Sequence, residues 1–233
     1  MKKTLLATTL ATITLISASS AFAADTVDLS VGGTIAPVAC VPTLSSSGTL
    51  DYGDIKAGTL KTDEYTLLPV KTLDFSMTCD GKTKVAVSAV NGRPGTAAGA
   101  TNDGANGGYA IIPPIIGSNI PVAGLGLTGT AKIGGYTLKI NSIAEKTQPN
   151  SFGITRPLLS ASWRTLGLNT TMYAVSTQIQ FSVGTNYSTK IPVAVKTLTA
   201  MIDVQSYINK ASALNITQPI KLDGLTTLEL TYL

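Results

Sequence analysis

The chain has 233 residues, 44% of them hydrophobic and only 13% charged, with 17 Lys and Arg against 13 Asp and Glu. Two of the four excess positive charges are Lys2 and Lys3, and no basic cluster follows. The pI near 9 therefore gives no footprint for nucleic acid or an anionic membrane. Histidine is absent, which removes Ser-His-Asp and Cys-His catalysis and the commonest metal ligand.

In chain order, Lys2 and Lys3 precede an apolar run from Leu5 to Leu15 and then Ala21-Phe22-Ala23. A charged start, a short apolar core and an A-x-A site read as a cleavable secretory signal over residues 1–23. A single domain over residues 24–233 is expected to follow. No later stretch approaches the ~20 continuous apolar residues of a spanning helix. Cys40 and Cys79 are the two cysteines, and an exported chain pairs them by default as an intramolecular disulfide.

The rest is strand-like. Val27, Leu29, Val31 and Ile35 share one parity, with Gly33 between them. Leu73, Phe75, Met77 and Cys79 alternate with Asp74, Ser76 and Thr78, and Val85, Val87 and Ala89 follow at once. Tyr136, Leu138 and Ile140 form a further run. Then come Ile179, Phe181 and Val183, followed by Leu198, Ala200, Ile202 and Val204, and Leu228, Leu230 and Tyr232 close the chain. Period-2 runs between Gly and Pro signals predict an all-β, Ig-like sandwich with one disulfide.

Between Asn91 and Gly129 the Gly and Pro density is too high for regular ladder, which predicts a long loop insertion at one end of the sandwich. Its Ile111, Ile112, Ile115 and Ile116 either cap the core or form a contact surface. Asn141 to Pro157 reads as a second connection, Val204 to Leu214 as room for one helical turn, and Trp163, the sole tryptophan, as core. Asp63-Glu64 reads as a solvated loop and Asp223-Gly224 as a turn. No S-x-x-K occurs after the signal and no phosphate-cradling motif is present. No catalytic residue, metal site or cofactor is therefore expected, and the chain is not expected to be an enzyme.

Two ends of the chain carry a resemblance. Gly33, Ile35 and Cys40 stand as in the opening of chaperone–usher fimbrial subunits, and Leu228, Leu230 and the penultimate Tyr232 resemble their terminal strand. The stretch from Val31 to Ser45 and Leu68–Lys71 also resemble exported proteins of the DUF1120 family. The resemblance implies a pilin-like sandwich, exported to the periplasm and then the cell surface of a Gram-negative envelope. There a periplasmic chaperone and an usher would handle it, and its partners would be other fimbrial subunits or a surface receptor. Val27, Leu29, Val31, Gly33 and Ile35 would form a donated strand, unless they form an ordinary first strand of their own sheet. Leu228, Leu230 and Tyr232 would line the groove that a chaperone or neighbour fills. Only nine residues of the mature chain precede Gly33, which points to a minor or fimbria-associated subunit. The alternative is a self-complete periplasmic or secreted β-sandwich that binds a ligand.

Overall fold

The computed structural model describes residues 27–110, 120–148, 150–167 and 170–233. The segment 1–23, expected to be a secretory signal, and the four isoleucines between 111 and 116 lie outside them. The chain divides at Ala36/Pro37, and Pro37–Leu233 holds every strand among the described residues.

In chain order the strands are β1 (Cys40–Leu44), β2 (Thr66–Leu67), β3 (Lys71–Thr83), β4 (Val85–Asn91), β5 (Ala100–Gly104), β6 (Gly107–Ala110), β7 (Ile120–Gly124) and β8 (Leu127–Thr128). They continue with β9 (Ala131–Lys132), β10 (Gly134–Ala144), β11 (Phe152–Pro157), β12 (Arg164–Thr165), β13 (Ile179–Gly184), β14 (Val195–Ile208) and β15 (Thr226–Tyr232). One sheet runs β1-β3-β14-β10-β7-β6-β5, with β2 against the end of β14, and the second runs β12-β11-β13-β4-β15. A small β8–β9 hairpin stands apart.

Side-chain alternation explains how the sheets face each other. In β3, Phe75, Met77 and Cys79 are buried while Asp74 and Thr78 are exposed. In β14, Leu198, Ala200, Ile202 and Val204 are buried between exposed Thr199 and Met201. These residues share one core with Leu138 and Ile140 of β10 and with Val87 and Phe181 of the second sheet. Opposing apolar faces of two sheets closing on one core make a β-sandwich. The change of sheet comes at Lys84, where the chain leaves β3 and enters β4.

Several connections expected from the sequence are strands instead. The Asn91–Gly129 insertion carries β5, β6, β7 and β8, and β7 pairs with β10, so it widens the first sheet. Its glycines mark turns, as at Gly107 and Gly126 with positive φ, and not a whole loop. Ala97, Ala98, Ala110, Ile120 and Val122 build a second small core around Tyr207. The Tyr207 hydroxyl donates to the Ala98 carbonyl at 2.7 Å. The stretch from Asn141 to Pro157 belongs mostly to β10 and β11. Past β14 the only helical element is a 3-10 turn at Ala211–Ala213. Trp163 is half-buried beside β12, with the Arg156 guanidinium 4.5 Å above its ring, so it is a surface residue.

Val27–Ala39 contains no strand, and Val27, Leu29, Val31 and Ile35 are fully exposed. The ordinary-first-strand reading of this segment is thereby corrected. Alternation alone does not make a strand when no edge supplies ladder partners.

Cys40 and Cys79 are direct partners in the β1–β3 register and are disulfide-bonded, 39 positions apart. Closing a loop of that length stabilises by about 4 kcal/mol on the chain-entropy account. Replacing both cysteines by alanine should lower the unfolding free energy by about that amount. Urea titration checks it, with the m value expected to rise because the uncrosslinked chain exposes more surface on unfolding.

Candidate functional site

The two sheets end, on one side, in unpaired edges: β1 in the first and β15 in the second. They approach at one point, where the Cys40 N–H donates to the Tyr232 hydroxyl at 3.0 Å. Away from that clasp a groove opens, lined by Leu44 of β1 and by Thr226 and Leu228 of β15, with a volume of about 360 Å³. Its floor is Leu73, Leu138, Ile202 and Val204. Beyond it lies a second cavity of about 820 Å³, walled by residues 49–60 and 214–222 and floored by Ile133 and Ile208. The two are neighbours and share Thr49, Leu50, Tyr52 and Leu222 in their walls.

The terminal strand is firmly held on one side and open on the other. All seven of its residues pair with β4, from Thr226↔Asn91 to Tyr232↔Val85. Thr226 Oγ1 lies 2.7 Å from both the Tyr136 and the Tyr173 hydroxyls. Burial pushes both phenols up, so they remain neutral hydrogen-bonding groups. Gln178 Nε2 donates to Glu229 on the outer face at 2.8 Å. Yet Leu228 and Leu230 are only partly buried and Tyr232 is half-exposed, because no strand among the described residues covers the far edge of β15. The expected C-terminal residues are thus brought together at the groove. The expected donor residues, Val27 to Ile35, are not paired with any strand.

Two non-strand segments, which sequence periodicity had not singled out, lie along the opening. Residues 49–56 form no helix or strand and bend at Gly53 (φ 65), whose N–H donates to Asp51 Oδ1 at 2.8 Å, with Leu50, Tyr52 and Ile55 turned toward the core and Thr49 and Asp51 exposed. The Lys71 Nζ donates to the Asp51 carbonyl and stands 5.2 Å over the Tyr52 ring. Desolvation raises the Tyr52 phenol, only partly offset by the side chain and backbone of Ser206 beside it. Its enclosed hydroxyl makes no hydrogen bond of good geometry with Ser206 or any other described residue. Such a group costs about 1–3 kcal/mol. Ahead of this segment, Ser46 and Ser47 hold left-handed backbone at φ 51 and 52, at roughly 1–2 kcal/mol each.

The second segment, 214–225, ends in an ion pair and a glycine. Arg93 Nε and Nη2 donate to the two Asp223 carboxylate oxygens at 2.8 and 2.9 Å, tying the start of the insertion to the approach of β15. At Gly224 an added Cβ would stand 2.9 Å from the Tyr136 ring and 3.0 Å from Leu125. The Asp223-Gly224 step is therefore a packed entry to β15 and not the turn expected from the sequence. Asp63 and Glu64 are exposed as expected, with Lys61 paired to Glu64.

Among the described residues no group of three His, Cys, Asp or Glu could hold a metal. No helix there is long and apolar enough to cross a membrane. Trp163 lines neither cavity.

Against known proteins, the likeness falls where the opening motif placed it. Residues 29–137 match the family described as Protein of unknown function (DUF1120). That span begins ahead of the disulfide-bonded β1 and ends within β10. A longer likeness is to the "Uncharacterized protein YhcF" of Escherichia coli (strain K12), 26% identical over 232 residues and covering 93% of this chain and 94% of that protein.

Three substitutions test the site's construction. Gly224→Ala should destabilise by about 1–3 kcal/mol, because the new methyl must displace Tyr136 or Leu125. Tyr52→Phe should leave the unfolding midpoint unchanged or raise it, since it deletes an unpaired buried hydroxyl. The Arg93 hydrogen bonds hold Asp223 below the usual carboxylate range, so its contribution is present above the unfolded carboxylate pKa of about 4 and fades as pH falls through the lower folded value. Asp223→Asn should accordingly be less stable than the wild type at pH 7, with the gap narrowing toward pH 2. Denaturant melts across that range check all three.

Proposed function

We propose that this chain is an exported, non-catalytic fimbrial-like subunit, minor or fimbria-associated, that accepts a strand into the groove between β1 and β15. The observation that carries the reading is that groove. Two edge strands clasp at Cys40 and Tyr232 and part over an apolar floor, leaving Leu228 and Leu230 incompletely covered. An added strand gains ladder hydrogen bonds on an open edge, while its alternate side chains fill the apolar trough. An uncovered edge is an aggregation hazard for any protein that must persist outside the cell. A periplasmic chaperone, and later a neighbouring subunit delivered by an usher, would supply the strand. Exposed Val27, Leu29 and Val31 have the alternation such a donor needs.

Export rests on the residue pattern of 1–23 and on the disulfide, which persists in oxidising compartments. The absence of histidine supports an assembly role over catalysis. A second reading, a self-complete β-sandwich that binds a ligand, draws on the 49–56 segment, whose Leu50, Tyr52 and Ile55 already pack against the core.

A synthetic peptide of residues 25–36 of this chain should raise the thermal midpoint of the purified, disulfide-intact protein. The same peptide with Val27, Leu29 and Val31 changed to serine should not. Leu228→Asn should abolish the gain. A protein that refolds alone, stays monomeric and ignores both peptides would favour the self-complete reading.

A further inference from the structure

We propose that residues 49–56 form a displaceable strap that occupies the groove before a strand enters and so gates strand acceptance. This inference rests on the strand-accepting reading above.

The strap imitates a strand by its side chains alone. Leu50 and Tyr52 point inward beside exposed Thr49 and Asp51, with the period of two that a ladder strand shows, as far as Gly53, where a φ of 65 ends it. They line the same trough as Leu73, Leu138, Ile202 and Val204, the floor an entering strand would need. Strap and donor cannot both rest on it.

Its backbone does not imitate a strand. Among the described residues, the main chain of residues 50–55 makes no backbone-to-backbone hydrogen bond, and neither β1 nor β15 pairs with it. What holds it is partial burial of Leu50, Tyr52 and Ile55, together with the Lys71 contact to the Asp51 carbonyl. An entering strand would match the apolar contacts and add a ladder on an open edge, so exchange favours the donor. The Tyr52 hydroxyl, enclosed without a partner, weakens the seat further.

The ends of the strap are built to stay fixed while its middle moves. Upstream, the tight Ser45–Gly48 turn has left-handed Ser46, Ser47 and Gly48, and the Asp74 N–H donates to Ser45 Oγ at 2.9 Å. Downstream, a 3-10 turn at Ala57–Thr59 leads to Lys61 and Thr62, whose carbonyls accept from the Ala211 and Ser212 amides at 3.0 Å. Displacement then needs dihedral changes only near these turns.

The test measures capture of a fluorescently labelled peptide of residues 25–36 by wild type, Tyr52→Ser and Tyr52→Phe, alongside hydrogen exchange of the unliganded proteins. Tyr52→Ser loosens the strap and should speed capture by about tenfold or more, as the open fraction rises. Tyr52→Phe removes the unpaired hydroxyl and should slow it. Amides 50–55 should exchange far faster than those of β3. Equal capture rates in all three proteins would overturn the strap and leave strand acceptance standing, as would strap amides as protected as those of β3. Capture by none of them would overturn strand acceptance, and the strap with it. Should Tyr52→Ser fail to fold, slower capture by Tyr52→Phe together with fast strap exchange supports the gate, and unchanged capture rejects it.

Discussion

Cys40 is the point on which the open side of this molecule turns. Its sulfur is bonded to Cys79 of β3, which fixes β1 to the first sheet, and its amide is bonded to the Tyr232 hydroxyl at the end of the second. One residue thus fastens both sheets at one end of their free margin. Everything beyond it follows from geometry: two edges pinned together at one end, with no strand bridging them, diverge over a core that they cannot cover. The trough beside Leu44 and Leu228 is the consequence of that single fastening.

An open core seam has an energetic cost that the rest of the fold works to contain. The closed margins are well paired, with β14 set between β3 and β10 and β4 between β13 and β15. At the seam the molecule uses what it has. The 49–56 segment lays apolar side chains on the floor, and the Arg93–Asp223 pair holds the approach to β15 in place. Thr226 is gripped by two buried tyrosines, so β15 stays aligned although one edge is unsatisfied. This division between a well-paired β15 and a ladder-free 49–56 segment is what the proposed strand acceptance would require, a preorganised acceptor under a removable cover.

The insertion between Asn91 and Gly129 shows why glycine counting misleads. A window rich in Gly and Pro looks like a loop because those residues punctuate, yet short strands separated by glycine turns have the same composition. Gly107 and Gly126 occupy positive φ at bends, while Val122 and Ala110 pack around Tyr207 far along the sequence. The converse holds at the N-terminus, where Val27, Leu29 and Val31 alternate perfectly and form no strand. Trp163 belongs to the same lesson. Size and hydrophobicity place a tryptophan in the core on average, but here Arg156 covers one face at the surface.

The amino-acid sequence by itself determined the all-β class, the alternating strands from Leu73 to Cys79, from Leu198 to Val204 and from Leu228 to Tyr232, and the cysteine pair. These are local properties: side-chain parity, composition, and the presence of two cysteines. Tertiary structure decided which strands share a sheet, that the chain changes sheets at Lys84, and that β1 and β15 are both left as edges. It also decided that the Leu50–Ile55 stretch would lie along the gap between them. Pairing partners are a long-range choice, since Cys40 and Tyr232 are 192 positions apart when they meet. Periodicity within a strand carries no information about which distant edge that strand will find.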